Sequence, residues 1–158
     1  MSALVTLLAT LCFAYAAGIF TVLSMIEKPI WPLLQDPADE HVRTATVRRI
    51  HAQLRELLPL LPPTMKTVMG AGAVLLATQA WLQAFDGITI ATLAVFVLGM
   101  LYILRRLQPR IRAVAALDSA GDATRLRIAT GELAALHRAG LAVAASVLAL
   151  QIALVATI

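Results

Sequence analysis

A single cysteine, Cys12, is all the thiol chemistry that this 158-residue chain contains. It falls within a long apolar run, which excludes an intramolecular disulfide, a CxxC redox pair and covalent haem attachment, and leaves it the role of a small packing residue. Charged residues are also few, at 14%, and aromatic residues make up only 5%. Against 60% hydrophobic residues and a mean hydropathy of +0.84, so little charge cannot cover a water-facing surface. The class is integral membrane protein. No phosphate-binding loop, glycine-rich dinucleotide fingerprint, zinc pattern or nucleophile motif is present. A net charge of +4 would raise nucleic acid as a partner for a soluble domain. Here the basic residues flank apolar runs, the pattern that orients a chain in a bilayer, so the expected partner is lipid and no nucleic acid.

Four apolar runs are long enough to cross about 30 Å of hydrocarbon at about 1.5 Å per helical residue. The first, Ala3 to Ile26, carries no charge, and it ends in Glu27-Lys28-Pro29-Ile30-Trp31-Pro32, where two prolines stop the helix. Ala14-Tyr15-Ala16 looks like a signal-peptidase site, but no basic residue precedes it and the apolar run continues past it, so cleavage is not expected. The others are residues 64–83, 88–104 and 133–158. Between the first two, Asp36-Pro37 predicts a helix start, with Asp36 at the N-cap. Val47, Ile50, Leu54, Leu57 and Leu61 then recur every three or four residues, with Arg48, Arg49, His51, Arg55 and Glu56 largely off that stripe. An amphipathic helix over Glu40 to Leu58 is expected to lead through Pro59, Pro62 and Pro63 into the second span. The short Asp86-Gly87 turn makes spans two and three antiparallel neighbours, and Pro109 separates span three from a short basic helix. Asp122 is a candidate cap for the helix that leads into the fourth span. The fold class is therefore all-α: a polytopic four-helix membrane bundle, one domain over residues 1–158, with an amphipathic cytoplasmic helix extending span two.

All lysines and arginines except Lys66 and Arg138 lie in the two long segments that join spans one to two and three to four. The opposite turn has none. Both basic segments are expected on the cytoplasmic side of the plasma membrane, with both termini outside.

That topology gathers Glu27, Lys66, Glu132, His137 and Arg138 at one end of the bundle, with His51 and Glu56 just beneath. Ionisable groups at such a depth are functional candidates by default. A carboxylate-bridged metal site would need Glu and His three apart on facing helices. The His51/Glu56 and Glu132/His137 pairs are five apart, turning the two side chains about 140° from each other. A metal would thus need ligands from several helices, and haem has no attachment motif, so metal and cofactor content stay open. The remaining chemistry is general base work. A neutral His137, oriented by Glu27, Glu56 or Glu132 and flanked by Arg138 and Lys66, suits removal of a proton from a flat, hydrophobic phenol or acidic carbon entering from the bilayer. The plainer alternative is that His137 and Glu132 form a satisfied interface network.

The chain resembles the anthrone-oxygenase-like family of small four-helix integral membrane proteins. The resemblance lies in Gly18-Ile19-Phe20 leading to Glu27-Lys28-Pro29-Ile30-Trp31, the long segment running to a proline, and the His137-Arg138 pair opening the last span. It implies oxidation of a polycyclic anthrone-type phenol to a quinone by O2, with His137 as base, Arg138 and Lys66 holding the phenolate, and Glu27, Glu56 or Glu132 orienting the base. The rival reading is an accessory protein that assembles with itself or a larger membrane complex through the segment at Glu40 to Leu58. A small transporter is weakened by having few polar residues mid-span beyond Gln79 and Gln151.

Overall fold

The structure, a computed structural model, describes residues 2–156, and every regular element among them is helical. Thr157 and Ile158, the end of the expected fourth span, lie outside the described residues. Helix α1 (Ser2–Glu27) is followed by a 3₁₀ helix (Lys28–Leu34), then α2 (Thr44–Leu57), α3 (Leu61–Leu82), α4 (Gly87–Ala116) and α5 (Ala123–Val155). Three units are long and apolar enough to cross a membrane: Ala3–Leu34, Gly87–Ala116 and Ala123–Val155. A fourth passes only when α2 and α3 are taken together, and these are bent by 59°.

The boundaries differ from expectation in three places, each for a local reason. Asp36 does not cap a helix. Its carboxylate accepts from the Ala38 amide at 2.8 Å in a turn, and α2 begins only at Thr44. The turn is held from outside, because Arg127 on α5 donates to the carbonyls of Asp39 (2.9 Å) and Val42. Pro109 does not end a helix either. It lies inside α4, which runs on through the basic segment; proline costs one backbone bond there but continuing the helix keeps Val114 buried. Pro62 and Pro63, expected to precede span two, form the first turn of α3, where their missing amides are unpaired in any case. By contrast, Asp122 caps α5 as its position suggests, accepting from Thr124 (2.7 Å) and Arg125 (3.1 Å).

Helix α5 is the central element: α1, α2, α4 and the 3₁₀ helix all pack on it, and α3 closes the arrangement against α1 and α4. Two apolar cores result. One gathers Leu23, Ile30, Leu33, Val47, Ile50, Leu54, Val114, Leu126 and Leu133 around the 3₁₀ helix and α2. The other gathers Ala9, Phe13, Ala16, Met69, Leu76, Phe96, Ala144 and Val147, with Phe13 and Phe96 edge to face at 5.5 Å. Phe20 packs against both.

At the far end of the second core sits a closed polar knot. The Gln79 and Gln151 amides exchange hydrogen bonds at 3.1 and 2.9 Å, and Gln79 also donates to Thr6 at 3.0 Å. All three are buried, so α1, α3 and α5 are pinned together where an unpaired amide in hydrocarbon would be costly. Beyond it, Ala84 and Phe85 take left-handed backbone angles (φ 51° and 56°), which reverse the chain tightly between α3 and α4.

Close helix contact also makes Gly99 a stringent position, as it does Gly140 against the Phe20 ring. A Cβ on Gly99 of α4 would lie 2.5 and 2.7 Å from the two methyls of Val143 on α5, and a β-branched side chain has no other rotamer to retreat to. Gly99→Ala is expected to lower stability by about 1–3 kcal/mol in denaturant titrations in detergent, and Gly99→Ala with Val143→Ala to recover most of it.

Candidate functional site

Glu27 is the last residue of α1, and the prolines that follow turn the chain into a 3₁₀ helix that stays against α5. This puts a carboxylate inside the protein: Glu27 is 0% exposed. Its Oε1 lies 2.6 Å from Nδ1 of His137 on α5. Where Glu27 is ionised its oxygen accepts and Nδ1 donates, and in the neutral imidazole that leaves Nε2 with the lone pair. Neighbouring Phe20 keeps its ring centroid 6.4 Å from that of His137.

The imidazole borders a cavity with an empty volume of ≈ 840 Å³, including the part that is open. Its wall is drawn from all five α helices at the seam between the two cores. Leucines, Ile103, Ile111, Pro62, Phe20 and three methionines (Met65, Met69, Met100) make up most of it. Among the described residues, His137 and Lys66 are its only ionisable side chains. An imidazole oriented by a buried carboxylate thus borders an apolar space that Lys66 also lines.

Of the residues singled out from the sequence, Glu27, His137 and Lys66 come together here. The rest do not. Arg138 turns away, its guanidinium 5.0 Å over the Trp31 ring. Glu132 is half-exposed and lies 3.7 Å from Arg110. Glu56 is exposed on α2. The expectation that His51 lies off the apolar stripe also fails. It is wholly buried, with Nε2 donating to the Val114 carbonyl at 3.0 Å and Nδ1 accepting from Ser119 at 2.9 Å, so it ties α2 to the end of α4. Among the described residues no cluster of three or more His, Cys, Asp or Glu is placed to hold a metal.

Two kinds of site residue escaped sequence reasoning. The methionines carry no chemical signature beyond the four-residue spacing of Met65 and Met69, which places both on one face of α3. The other kind is Ser24, one turn before Glu27 on α1. Glu27 Oε2, Ser24 Oγ and Trp31 Nε1 are buried without a hydrogen-bond partner among the described residues, and the three-residue spacing of Ser24 and Glu27 was the available signal. No family model, curated protein or solved structure matches the chain.

Two outcomes follow from these burials. Removing one member of a buried pair leaves the other uncompensated, so His137→Ala should cost about 3–5 kcal/mol of stability, whereas Glu27→Leu combined with His137→Leu should cost less than His137→Ala alone. Unfolding titrations in detergent measure both. Burial lowers the pKa of His51 below the ordinary 6.5; the Val114 carbonyl raises it in part, and Arg55 and Asp118 act in opposite directions. The unfolded chain then binds the proton more readily, so stability present above pH 6.5 is lost as the pH falls below it. Between pH 7 and 5, His51→Gln should lose less stability than the wild type.

Proposed function

We propose that this chain is a four-helix bundle of the plasma membrane, with both termini outside and α2 at the cytoplasmic face. In this reading the cavity is where a flat, hydrophobic phenolic substrate is oxidised by O2. What supports it is one geometry: a fully buried Glu27 holds Nδ1 of His137 at 2.6 Å while the same ring borders an apolar cavity. Nε2 takes the proton from the substrate, the Glu27 carboxylate stabilises the imidazolium that forms, and Lys66 faces the resulting anion. For an anthrone, the ring CH2 becomes a carbonyl as O2 is reduced: one oxygen atom enters the quinone and the other leaves as water with the two hydrogens. The oxidation itself is what the family resemblance implies; the residues alone argue for the base.

A non-enzymatic accessory role has its own observation. A second, shallower apolar groove, formed by Tyr15, Gly18, Ile19, Val22 and Ile26 of α1 with Leu57 and Leu61, faces outward. The experiment that separates the two is O2 uptake on an anthrone by purified protein in detergent. His137→Gln keeps a donor for Glu27 but has no basic nitrogen, and should lower the rate by about 10²–10⁴. A folded His137→Gln protein with the wild-type rate would overturn the proposal.

A further inference from the structure

The helices around the cavity do not enclose it evenly. Of the described side chains that line it, only Lys66 on α3 and Leu104 on α4 are exposed; the others are buried or half-buried. The cavity therefore opens between α3 and α4. These helices are joined by the tight turn at Gln83–Asp86, and Lys66 and Leu104 stand about equally far from it along their own helices, about 27 Å at about 1.5 Å per residue. They are the two posts of one opening, close to the edge of a hydrocarbon layer about 30 Å thick. One post carries a charge that no carboxylate approaches within ion-pair distance among the described residues. The other is a leucine, 51% exposed.

We infer that the cavity is filled sideways from the inner leaflet, between α3 and α4, by a phenol with an apolar tail, whose hydroxyl is read by Lys66 and His137 while the tail leaves past Leu104 into lipid. This deepens the proposed function and rests on its reading of the cavity as a substrate site. Three features argue for this class of ligand. Lys66 donates and His137 Nε2 accepts, so together they suit one acidic hydroxyl, whose oxygen meets the ammonium while its proton points at the imidazole; a cationic head would meet the Lys66 charge. Met65, Met69 and Met100, three of the five methionines, supply a deformable wall with sulfur atoms that favour aromatic rings. From Met100 to Ile111 the wall runs about 16 Å along α4, longer than one ring needs, and it is apolar throughout.

The test uses full-length protein in phosphatidylcholine nanodiscs and an alkylphenol carrying a diazirine in its tail, with photolabelled residues mapped by peptide mass spectrometry. Label is expected on α3 and α4 around Met65, Met100 and Leu104, displaced by unlabelled alkylphenol. Leu104→Trp should cut labelling about tenfold, while Leu101→Trp, which is exposed on α4 but outside the cavity wall, should label as wild type and shows that a tryptophan on this helix is tolerated. The methyl ether of the same probe should label about tenfold less than the phenol, and Lys66→Gln should bring the phenol toward that level. Label confined to the α1 groove, indifference to Leu104→Trp, or equal labelling by phenol and ether would each overturn the inference. Labelling requires no turnover. Labelling as expected without O2 uptake would leave the inference standing and remove the oxidation; uptake indifferent to Leu104→Trp would do the reverse.

Discussion

A carboxylate that has been taken wholly out of solvent needs a partner, and in this protein the partner is a histidine on another helix. Glu27 could have met water had α1 continued straight. Pro29 and Pro32 instead tighten the chain into a 3₁₀ helix that keeps Ile30 and Leu33 in the core, and the acid at the junction is carried inward with them. The hydrogen bond to His137 then fixes how α1 sits on α5, because a buried charge tolerates little change in the position of its counter-group. The same constraint sets the imidazole's tautomer. Structure and candidate chemistry are consequences of one placement.

Helix α5 is able to impose this order because it touches nearly everything. It spans both cores, and its polar residues fall at opposite ends: Arg127 and His137 toward the α2 end, Gln151 toward the other. Between helices in lipid the apolar contacts discriminate poorly, since acyl chains are as apolar as leucine, so register depends on the few hydrogen bonds and on close approaches such as Gly99 on Val143. The knot of Thr6, Gln79 and Gln151, which ties α1 to α5 through α3, and the direct Glu27–His137 pair hold the three helices at two separated levels, with Phe20 packed into both cores.

The apolar runs and the break at Pro29 and Pro32 were legible in the sequence, because hydrophobic length and proline chemistry act locally, whereas Pro109, expected to end a helix, lies inside α4. Asp122 as a cap was legible for the same reason. The turn at Asp36 was not, since what decides it is Arg127, some ninety residues away, reaching two backbone carbonyls that no local pattern marks. The site was half legible. An acid and a histidine can be assigned to one end of a bundle by counting spans, but which acid pairs with which imidazole depends on helix rotation. Glu27, Glu56 and Glu132 were equal candidates until packing buried the first and left the others in solvent. His51 was misread for a different reason: it stands four residues after Val47 and three before Leu54, so helical spacing puts it on the buried stripe, and its polarity and the nearby Arg48 and Arg55 hid that.

A cavity among leucines and methionines would ordinarily cost stability in proportion to its volume, because the atoms around it lose their dispersion partners. The proposed opening between α3 and α4 would change that cost. In the proposed membrane setting acyl chains would occupy the space whenever nothing else did, and keeping it would then carry little penalty. The same availability means that an apolar ligand gains little from burial alone, as each contact it makes replaces one with lipid. Discrimination must then come from what lipid tails lack, a group able to hydrogen-bond to His137 Nε2 or to meet the Lys66 ammonium. Two polar side chains in an otherwise apolar wall are enough to make such a space selective, and the buried Glu27 behind one of them is what keeps it pointing there.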